Sequence, residues 1–325
     1  MAAIRPAASL AAQEISARTG KVDQTLRQRR RREALSAYLL IAPALMAFIL
    51  FMAIPMMLTL SLSFFNWTGI SFQSLDFAGF ANYRTMLHDE VFWKALENNA
   101  IFIVLGMTAS VALGMFVAVL LERNLKGSSF FRGLFYLPTV LSTVVIGIVF
   151  TFLLSPVFGI VKPLLGMVGV HADLALLGEP HSALFTLIGV ETWRTFGFAM
   201  FLFVAGLKSL DENLAEAASL DGASGWQTFW YVTFPQLRPV TLMVATLVGI
   251  SMLKLFDLVY VMTGGGPQHA TEVLNTMSYY QAFQYNSVGY GSTVAVVLLF
   301  ITFGLTLMRF KVLPDERRDI LRRTH

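Results

Sequence analysis

The sequence contains no cysteine, and only 14% of its 325 residues are charged. A soluble globular chain has roughly a quarter of its residues charged, so this shortage of charge argues against a soluble protein. The absence of cysteine excludes disulfide bonds, thiolate metal sites and cysteine nucleophiles. Hydrophobic residues make up 56% of the chain, and phenylalanine alone occurs 28 times. This composition is typical of a protein whose helices face lipid.

Motifs for several enzymatic activities are also missing. A nucleotide-binding Walker A loop needs the pattern G-x-x-x-x-G-K-[ST], and the glycine-rich run from Gly264 to Pro267 has no lysine after it. No G-x-S-x-G nucleophile elbow occurs. The five histidines are not paired at the helical spacing of metal ligands. We therefore predict no catalytic residue, no metal site and no cofactor in this chain, and a membrane-embedded enzyme is disfavoured.

Six stretches are long and apolar enough to cross the hydrocarbon core of a bilayer, which takes roughly 20 residues of helix. They are Ala37–Phe64, Ala100–Leu121, Leu134–Leu154, Ala183–Leu207, Val240–Met262 and Gly291–Met308. The first is too long for the apolar region of a cleaved signal peptide, and five more follow it. The sequence thus predicts an all-α membrane protein with six transmembrane helices.

Basic residues are concentrated on alternate connections between these stretches. The N-terminal tail includes the run Arg29 to Arg32, and other basic residues gather after the second, fourth and sixth stretches. Cytoplasmic loops carry such an excess, so both termini are predicted to be cytoplasmic. The net charge of +4 then needs no nucleic-acid partner to explain it.

The predicted organisation follows from this topology. It comprises a cytoplasmic tail (1–34), a first transmembrane helix (35–65), an external loop (66–99), a core of five transmembrane helices (100–310) that includes a cytoplasmic loop (208–239), and a cytoplasmic C-terminal tail (311–325).

The cytoplasmic loop inside the core has the pattern of a helical hairpin. Ser209 and Glu212 have the spacing of a capping box, which starts a helix by satisfying its free N–H groups. Gly222 stands where that helix would end in a left-handed turn. Ser224 and Gln227 repeat the capping spacing, so a second helix is predicted to follow.

The predicted hairpin has an unusual surface for a cytoplasmic connection. Its first helix presents small apolar residues and its second presents aromatic ones: Leu210, Leu214, Ala217 and Ala218, then Trp226, Phe229, Trp230 and Phe234. Alanines allow close approach but bury little within their own chain, so the first helix is predicted to dock into a groove of a partner. The aromatic residues fit either an interface or packing against the membrane end of the bundle. Pro235 and Pro239 are predicted to end the second helix before the fifth span.

Residues of this loop resemble the EAA loop of bacterial ABC-importer permeases. The resemblance rests on Glu216-Ala217-Ala218, Asp221-Gly222-Ala223, Phe229 and Thr233-Phe234-Pro235. It implies a type I ABC importer permease fold, in which this loop is the coupling helix that fits a cleft of the ATPase. The residues expected to couple to the ATPase are Glu216, Ala217, Ala218, Asp221, Gly222, Ala223 and Pro235.

Other segments resemble the carbohydrate-uptake permeases of the maltose and glycerol-3-phosphate type. They are Phe80-Ala-Asn82-Tyr83 with Phe92-Trp93, Phe131-Arg132-Gly133 through Pro138, and Thr263 through Pro267 with Thr271-Glu272. The resemblance implies a subunit of the bacterial cytoplasmic membrane that moves a sugar or sugar-like solute inward by alternating access. Its expected partners are a homologous second permease in a heterodimer, two copies of an ATPase that binds ATP and magnesium, and an external solute-binding protein.

Two pairs of charged residues lie within the predicted spans. Glu191 and Arg194 are three residues apart in the fourth, and Lys254 and Asp257 in the fifth. Ionisable groups at membrane depth indicate a functional path by default, whereas the three-residue step also allows intrahelical ion pairs that only brace the bundle. Both interpretations stay open.

The predicted substrate path combines these charges with neighbouring residues. The resemblance implies that the middle of the fifth span lines the site, and the full set is Glu191, Trp193, Arg194, Ser251, Lys254, Leu255 and Asp257. The cation of Lys254 would favour an acidic or phosphorylated solute over a neutral sugar. An ion-gradient-driven secondary transporter with Glu191 and Asp257 as proton carriers is the alternative, and it leaves the cytoplasmic hairpin without a role.

Overall fold

The computed structural model describes residues 38–71, 73, 75–122, 127–161, 163, 167 and 175–312. The predicted N-terminal tail (1–34) lies outside these residues, as does all but the start of the C-terminal tail (311–325). The chain divides into two units, residues 1–59 and 60–325. Within the described part, five helices are long and apolar enough to cross a membrane, or six if one bent pair counts as a single span.

The helices and strands follow one another as α1 (Tyr38–Leu62), β1 (Phe65–Asn66), β2 (Asp76–Phe77), α2 (Ala81–Leu87), α3 (Glu90–Glu122), α4 (Ser128–Val140), α5 (Thr143–Leu153), α6 (Pro180–Leu207), α7 (Glu212–Leu220), α8 (Gly225–Leu253), α9 (Asp257–Met262), α10 (Leu274–Tyr279) and α11 (Val288–Val312). Three of these helices contain a wide π-helical segment without a break in the helix. The segments are Ile49–Ala53 in α1, Phe102–Met107 in α3 and Phe229–Thr233 in α8. The two short strands pair antiparallel, with Phe65 opposite Phe77.

The third predicted span is not one straight helix. It is formed by α4 and α5, which meet at a bend of 94°. Pro138 lies inside α4, which ends at Val140, and Leu141 takes an extended conformation with ψ 147°. Because proline removes a backbone donor and crowds the preceding turn, the helix stops soon after it. The predicted span over Leu134–Leu154 is therefore a bent pair of helices.

The fifth predicted span is also different from the expectation. Instead of a cytoplasmic helix closed by Pro235 and Pro239, α8 runs unbroken from Gly225 into the bundle, with Pro235 in the first turn after its π-helical segment. Such a wide turn and the neighbouring helices can absorb the backbone groups that proline leaves unpaired. The interruption comes later, because α8 ends at Leu253 and α9 begins only at Asp257. We call residues 254–256 the helix break.

Small side chains bring α3 and α6 close together. Ser110, Gly114 and Ala118 are buried on α3 and recur every four residues, so they lie on one face. A Cβ atom on Gly114 would stand only 2.6 Å from Cβ of Ala199. Small residues permit such close packing where lipid gives helices no hydrophobic reason to associate. Ser110 also shares a 2.8 Å hydrogen bond with Thr195, which fixes the height of α6 against α3.

Two buried apolar clusters meet near the helix break. The first joins α3, α5, α6, α8 and α9, and the second joins α2, α3, α8, α10 and α11. Met252 belongs to the first cluster and Leu253 to the second, while Leu255 returns to the first. The break is therefore held by packing on both sides.

Candidate functional site

The predicted coupling loop forms helix α7, a tight turn and the start of α8. The N-cap of α7 is Asp211, whose Oδ1 accepts a 3.0 Å hydrogen bond from the backbone N–H of Asn213. The predicted capping box of Ser209 and Glu212 was therefore wrong. Ser209 instead belongs to the end of α6, where its hydroxyl donates to the carbonyl of Gly206 over 2.7 Å.

The turn between α7 and α8 has the predicted conformation. Gly222 has φ +84°, a left-handed conformation that side chains disfavour. The N–H of Ala223 donates back to the carbonyl of Ala218 over 3.0 Å, which closes the end of the helix. Ser224 and Gln227 form the predicted reciprocal capping box, with 2.8 Å from the Ser224 N–H to Oε1 of Gln227.

One side of α7 has no cover within the described chain. The exposed residues of α7 include Asn213, Leu214, Glu216, Ala217, Ser219 and Leu220, with Leu220 83% exposed. Ala215 and Ala218 are half-buried on the other side. A helix with an exposed leucine and alanine side next to an acidic residue has the composition of a docking surface rather than of a solvated connection.

The aromatic residues at the start of α8 pack mainly on each other. Trp230 lies with its ring centroid 5.6 Å from Trp226, 5.3 Å from Phe229 and 5.1 Å from Phe234. Trp226 is still 71% exposed. This cluster stiffens the turn that presents α7, and it leaves aromatic surface available beside it.

Glu191 and Arg194 form the intrahelical ion pair in α6 that their three-residue spacing allows. Arg194 donates from Nε to Oε2 of Glu191 over 2.9 Å and from Nη2 to Oε1. The glutamate side chain has no exposed surface, while that of Arg194 is 15% exposed. The hydroxyl of Thr139 donates to the Arg194 carbonyl over 2.9 Å, which ties α4 to this turn. The carboxylate is therefore screened from a solute, and only the arginine reaches the edge of the pair.

Lys254 and Asp257 do not form the intrahelical ion pair that their three-residue spacing allows. They lie on opposite sides of the helix break, and neither forms a salt bridge with another described residue. Both are exposed, whereas Leu255 between them is buried in the first apolar cluster. Leu255 is therefore not available to a solute from the side on which the charges are exposed.

Four polar side chains near the break are exposed: Ser251, Lys254, Asp257 and Tyr260. Lys254 lines a groove with residues of α11, whereas Tyr260 lines a separate cavity. Trp193 of α6 is also exposed in part, and its ring packs 5.3 Å from that of Phe150. Exposed polar groups within a helix bundle are the side chains that can line a solute path.

Three asparagines that the sequence analysis overlooked hold the chain around the break. Asn99 of α3 donates to the carbonyl of Leu253 over 3.3 Å and accepts from the N–H of Leu274 over 2.8 Å. Asn98 donates to the carbonyl of Glu272 over 2.9 Å, and Asn275 donates to that of Lys254 over 2.8 Å. Two adjacent asparagines at the edge of an apolar run were the signal that could have revealed this site.

The segment after α9, residues 263–272, forms a loop that we call the glycine loop. Gly264 and Gly265 have φ +59° and +85°, and a side chain on Gly265 would collide with the carboxylate of Glu272. The Thr263 and Thr271 hydroxyls share a 2.8 Å hydrogen bond across the loop. Its conformation is thus fixed by its own side chains.

A cavity of about 710 Å³ opens between the glycine loop, α9 and the turns after α10. Tyr280 forms part of its wall and donates to the carbonyl of Gly264 over 3.0 Å. Desolvation, followed by the charge of Glu272, raises the pKa of Tyr280 above its ordinary value. Glu272 is a buried part of the cavity wall, and His269 Nδ1 lies 3.2 Å from its Oε2.

Comparison with known proteins agrees with this architecture. Residues 110–319 match the family described as binding-protein-dependent transport system inner membrane components. The chain belongs to that family. It is 37% identical to the probable ABC transporter permease protein YurN of Bacillus subtilis over 87% of this chain and 97% of that protein. It is 32% identical to the multiple sugar-binding transport system permease protein MsmF of Streptococcus mutans, with 84% and 93% covered.

The fold also matches that of solved importers. A chain in the crystal structure of a bacterial alginate ABC transporter in complex with an alginate pentasaccharide-bound periplasmic protein superposes with a TM-score of 0.73. The match covers 86% of this chain and 93% of that chain at 21% identity. The chain therefore has the permease fold of type I ABC importers and is a permease subunit, not an enzyme. This result replaces the ion-gradient-driven transporter considered as the alternative.

Within the described part of the chain, no cluster of three or more histidine, aspartate or glutamate side chains could hold a metal ion. The predicted roles of individual residues in ATPase coupling and in the substrate path remain predictions.

Proposed function

We propose that this chain forms one half of the solute path of an ATP-driven importer for a sugar or sugar-like solute in the bacterial cytoplasmic membrane. Relatives that support this solute class include the lactose transport permease LacF of Rhizobium radiobacter and the trehalose/maltose permease MalF of Thermococcus litoralis. Another relative, UgpA of Agrobacterium fabrum, is named for sn-glycerol-3-phosphate. An anionic solute therefore belongs in the proposal beside neutral sugars.

The observation that carries the ATP-driven part of the proposal is the uncovered side of α7. This helix is capped at both ends, ordered by the turn at Gly222, and yet exposes Leu214, Ala217 and Leu220. A short helix that buries so little of its own surface gains stability when a partner covers that side. We infer that the cleft of an ATPase subunit receives it, with Glu216 and Asp221 at its rim.

The path itself needs a second half. The polar side chains of Ser251, Lys254 and Asp257 are exposed, and charged groups at membrane depth must face protein or water rather than lipid. A homologous permease subunit packed against this part of the chain would enclose them. The complete importer then contains this heterodimer, two ATPase subunits that bind ATP and magnesium, and an external solute-binding protein.

In this proposal, both termini and α7 lie on the cytoplasmic side. Closure of the ATPase dimer moves α7, and because α8 is continuous from Gly225 into the bundle, that movement reaches the helix break directly. The path is thereby opened alternately to the two sides of the membrane.

The decisive experiment places a bulky residue on the exposed side of α7. Ala217→Trp is tolerated by the chain itself, because Ala217 is exposed, but it would clash in a fitted cleft, as overpacking does in a protein core. We expect reduced co-purification of the ATPase and loss of uptake, with normal membrane insertion. Ser129→Trp changes an exposed residue at the start of α4 and is the matched control. It is expected to keep both the co-purification of the ATPase and the uptake of solute. Normal coupling in Ala217→Trp would refute the proposed docking side.

A further inference from the structure

We propose that the cavity beside the glycine loop is a binding site for a neutral sugar ring, which the solute occupies on the external side before it reaches the helix break. The inference rests on the proposed function as a sugar importer and adds a second site to it. The cavity's volume of about 710 Å³ is within the roughly 300–1,000 Å³ of small-molecule sites.

The lining chemistry suits a hydroxyl-rich ring. Gln268, Gln281 and Gln284 place three carboxamides on the cavity wall, and each carboxamide offers both donors and an acceptor. Tyr260 and Tyr285 add aromatic rings to the same wall. Aromatic faces bind the apolar side of a ring while their polar ends remain free for hydrogen bonds. The combination matches a sugar, which has hydroxyls at its edge and C–H groups on its faces.

The charge of the lining favours a neutral ligand over an anion. None of the described residues that line the cavity is a lysine or an arginine, whereas the carboxylate of Glu272 forms part of the wall. A phosphate or carboxylate group would therefore meet a like charge without a fixed cation to balance it. This chemistry differs from that of the helix break, where Lys254 is exposed.

A continuous run of aromatic rings connects the cavity to the helix break. Tyr260, which lines the cavity, stacks on Phe256 with 5.2 Å between centroids and 16° between planes. Tyr279 lies 5.3 Å from Phe256 and 5.4 Å from Tyr260, and Tyr280 continues the run at 5.8 Å from Tyr279. Because Phe256 belongs to the break, a ring that leaves the cavity has an aromatic surface to follow.

The cavity is preformed rather than created by a mobile loop. The hydrogen bond from Tyr280 to Gly264 and the Thr263–Thr271 pair fix the glycine loop, and Asn98 ties its carboxyl end to α3. A ligand would therefore bind without the loss of freedom that ordering a loop requires.

Cysteine protection tests the site, since the chain contains no cysteine. Gln284→Cys puts an exposed thiol on the cavity wall, and Leu87→Cys puts one on the exposed surface of α2, outside the cavity. The assembled importer that contains each variant is treated with a membrane-impermeant maleimide. The reaction is run without sugar and with about 50 mM lactose, trehalose or maltose. We expect at least one sugar to slow labelling of Gln284→Cys several-fold while labelling of Leu87→Cys is unchanged.

The same experiment separates the ways in which the proposal can fail. If one of the three sugars is imported by the parent complex but protects neither cysteine, the cavity proposal is wrong and the importer assignment stands. If only the sugar-free binding protein protects Gln284→Cys, the cavity is a protein-docking surface instead. If the parent complex imports none of the three sugars, both the cavity proposal and the proposed sugar specificity are wrong.

A substitution gives an independent measurement. Tyr285→Ala removes an exposed ring from the wall and is expected to raise the sugar concentration for half-maximal uptake roughly two- to tenfold, as for the loss of one aromatic contact. The maximal rate should be unchanged, because the coupling loop is untouched. Leu87→Ala is the control. An unchanged half-maximal concentration in Tyr285→Ala contradicts the proposal.

Discussion

The Arg194 guanidinium meets the Glu191 carboxylate in a two-pronged contact one turn apart on α6, and the carboxylate is completely buried. Thr195, the next residue, donates to the carbonyl of Glu191 over 2.7 Å and shares a hydrogen bond with Ser110 of α3. The pair is thus tied both to its own helix and to the neighbouring one. Its geometry favours a bracing role for the glutamate and leaves only the arginine within reach of the path.

We expect the permease to be destabilised when only one partner of the Glu191–Arg194 pair is removed. Arg194→Met leaves a buried carboxylate without its partner, which costs on the order of 3–5 kcal/mol. The double variant Glu191→Leu/Arg194→Met removes both charges and should recover much of that loss, as a double-mutant cycle would measure. The readout is the denaturation midpoint of the purified complex. A single variant as stable as the parent would contradict the bracing role.

Lys254 is expected to act on the solute rather than on the fold. Its side chain is exposed and has no ion-pair partner among the described residues, so Lys254→Ala should leave assembly and ATPase stimulation intact while uptake weakens. Lys254→Arg keeps the charge and is the matched control. Normal uptake in Lys254→Ala would leave the lysine without a role in the path.

The sequence allowed prediction of the features that depend on local patterns. The left-handed turn at Gly222 and the capping box of Ser224 and Gln227 were predicted because each depends on residues a few positions apart. The position of the N-cap was wrong, since Asp211 competes with Ser209 for the role, and both are good caps. The membrane spans were also predictable, because an apolar run is a local feature of the sequence.

Features that depend on several helices at once were not predictable in this way. The helix break interrupts the chain between Lys254 and Asp257, whereas an unbroken helix would place the two charges one turn apart. Asparagines that are distant in the sequence, on α3 and within α10, bind the backbone at this break. Hydropathy stays high on both sides of a bend. It therefore did not reveal the 94° bend in the third span.

Asn99 is expected to be the most important of these asparagines for stability. Asn99→Leu deprives the N–H of Leu274 and the carbonyl of Leu253 of a buried partner, at about 1–3 kcal/mol for an unsatisfied group. Asn275→Leu is the control, because its single bond to the carbonyl of Lys254 is accessible to water. The denaturation midpoint should be reduced more in Asn99→Leu. Equal midpoints would show that Asn99 does not hold the break.

The predicted topology can be tested at two exposed positions. Ser129 lies at the start of α4 and His181 at the start of α6, which the basic loops assign to the cytoplasmic and external sides. With single cysteines in this cysteine-free chain, a membrane-impermeant thiol reagent on intact cells should label His181→Cys only. Ser129→Cys should react after the cells are opened, which controls for its accessibility. Labelling of Ser129→Cys in intact cells would overturn the six-span topology.

Substitutions at two glycines of the coupling loop distinguish the effect of backbone strain from that of a steric clash. A Cβ atom would meet nothing within 4 Å at either Gly222 or Gly225, but only Gly222 has a positive φ. Gly222→Val should therefore cost roughly 1–2 kcal/mol through the left-handed conformation alone, and it should misalign α7 relative to α8. We expect weaker stimulation of the ATPase and reduced uptake, with membrane insertion unchanged. Gly225→Ala is the control and should behave like the parent. If Gly222→Val also couples normally, the turn is not needed to present α7, and the proposed coupling role loses its structural basis.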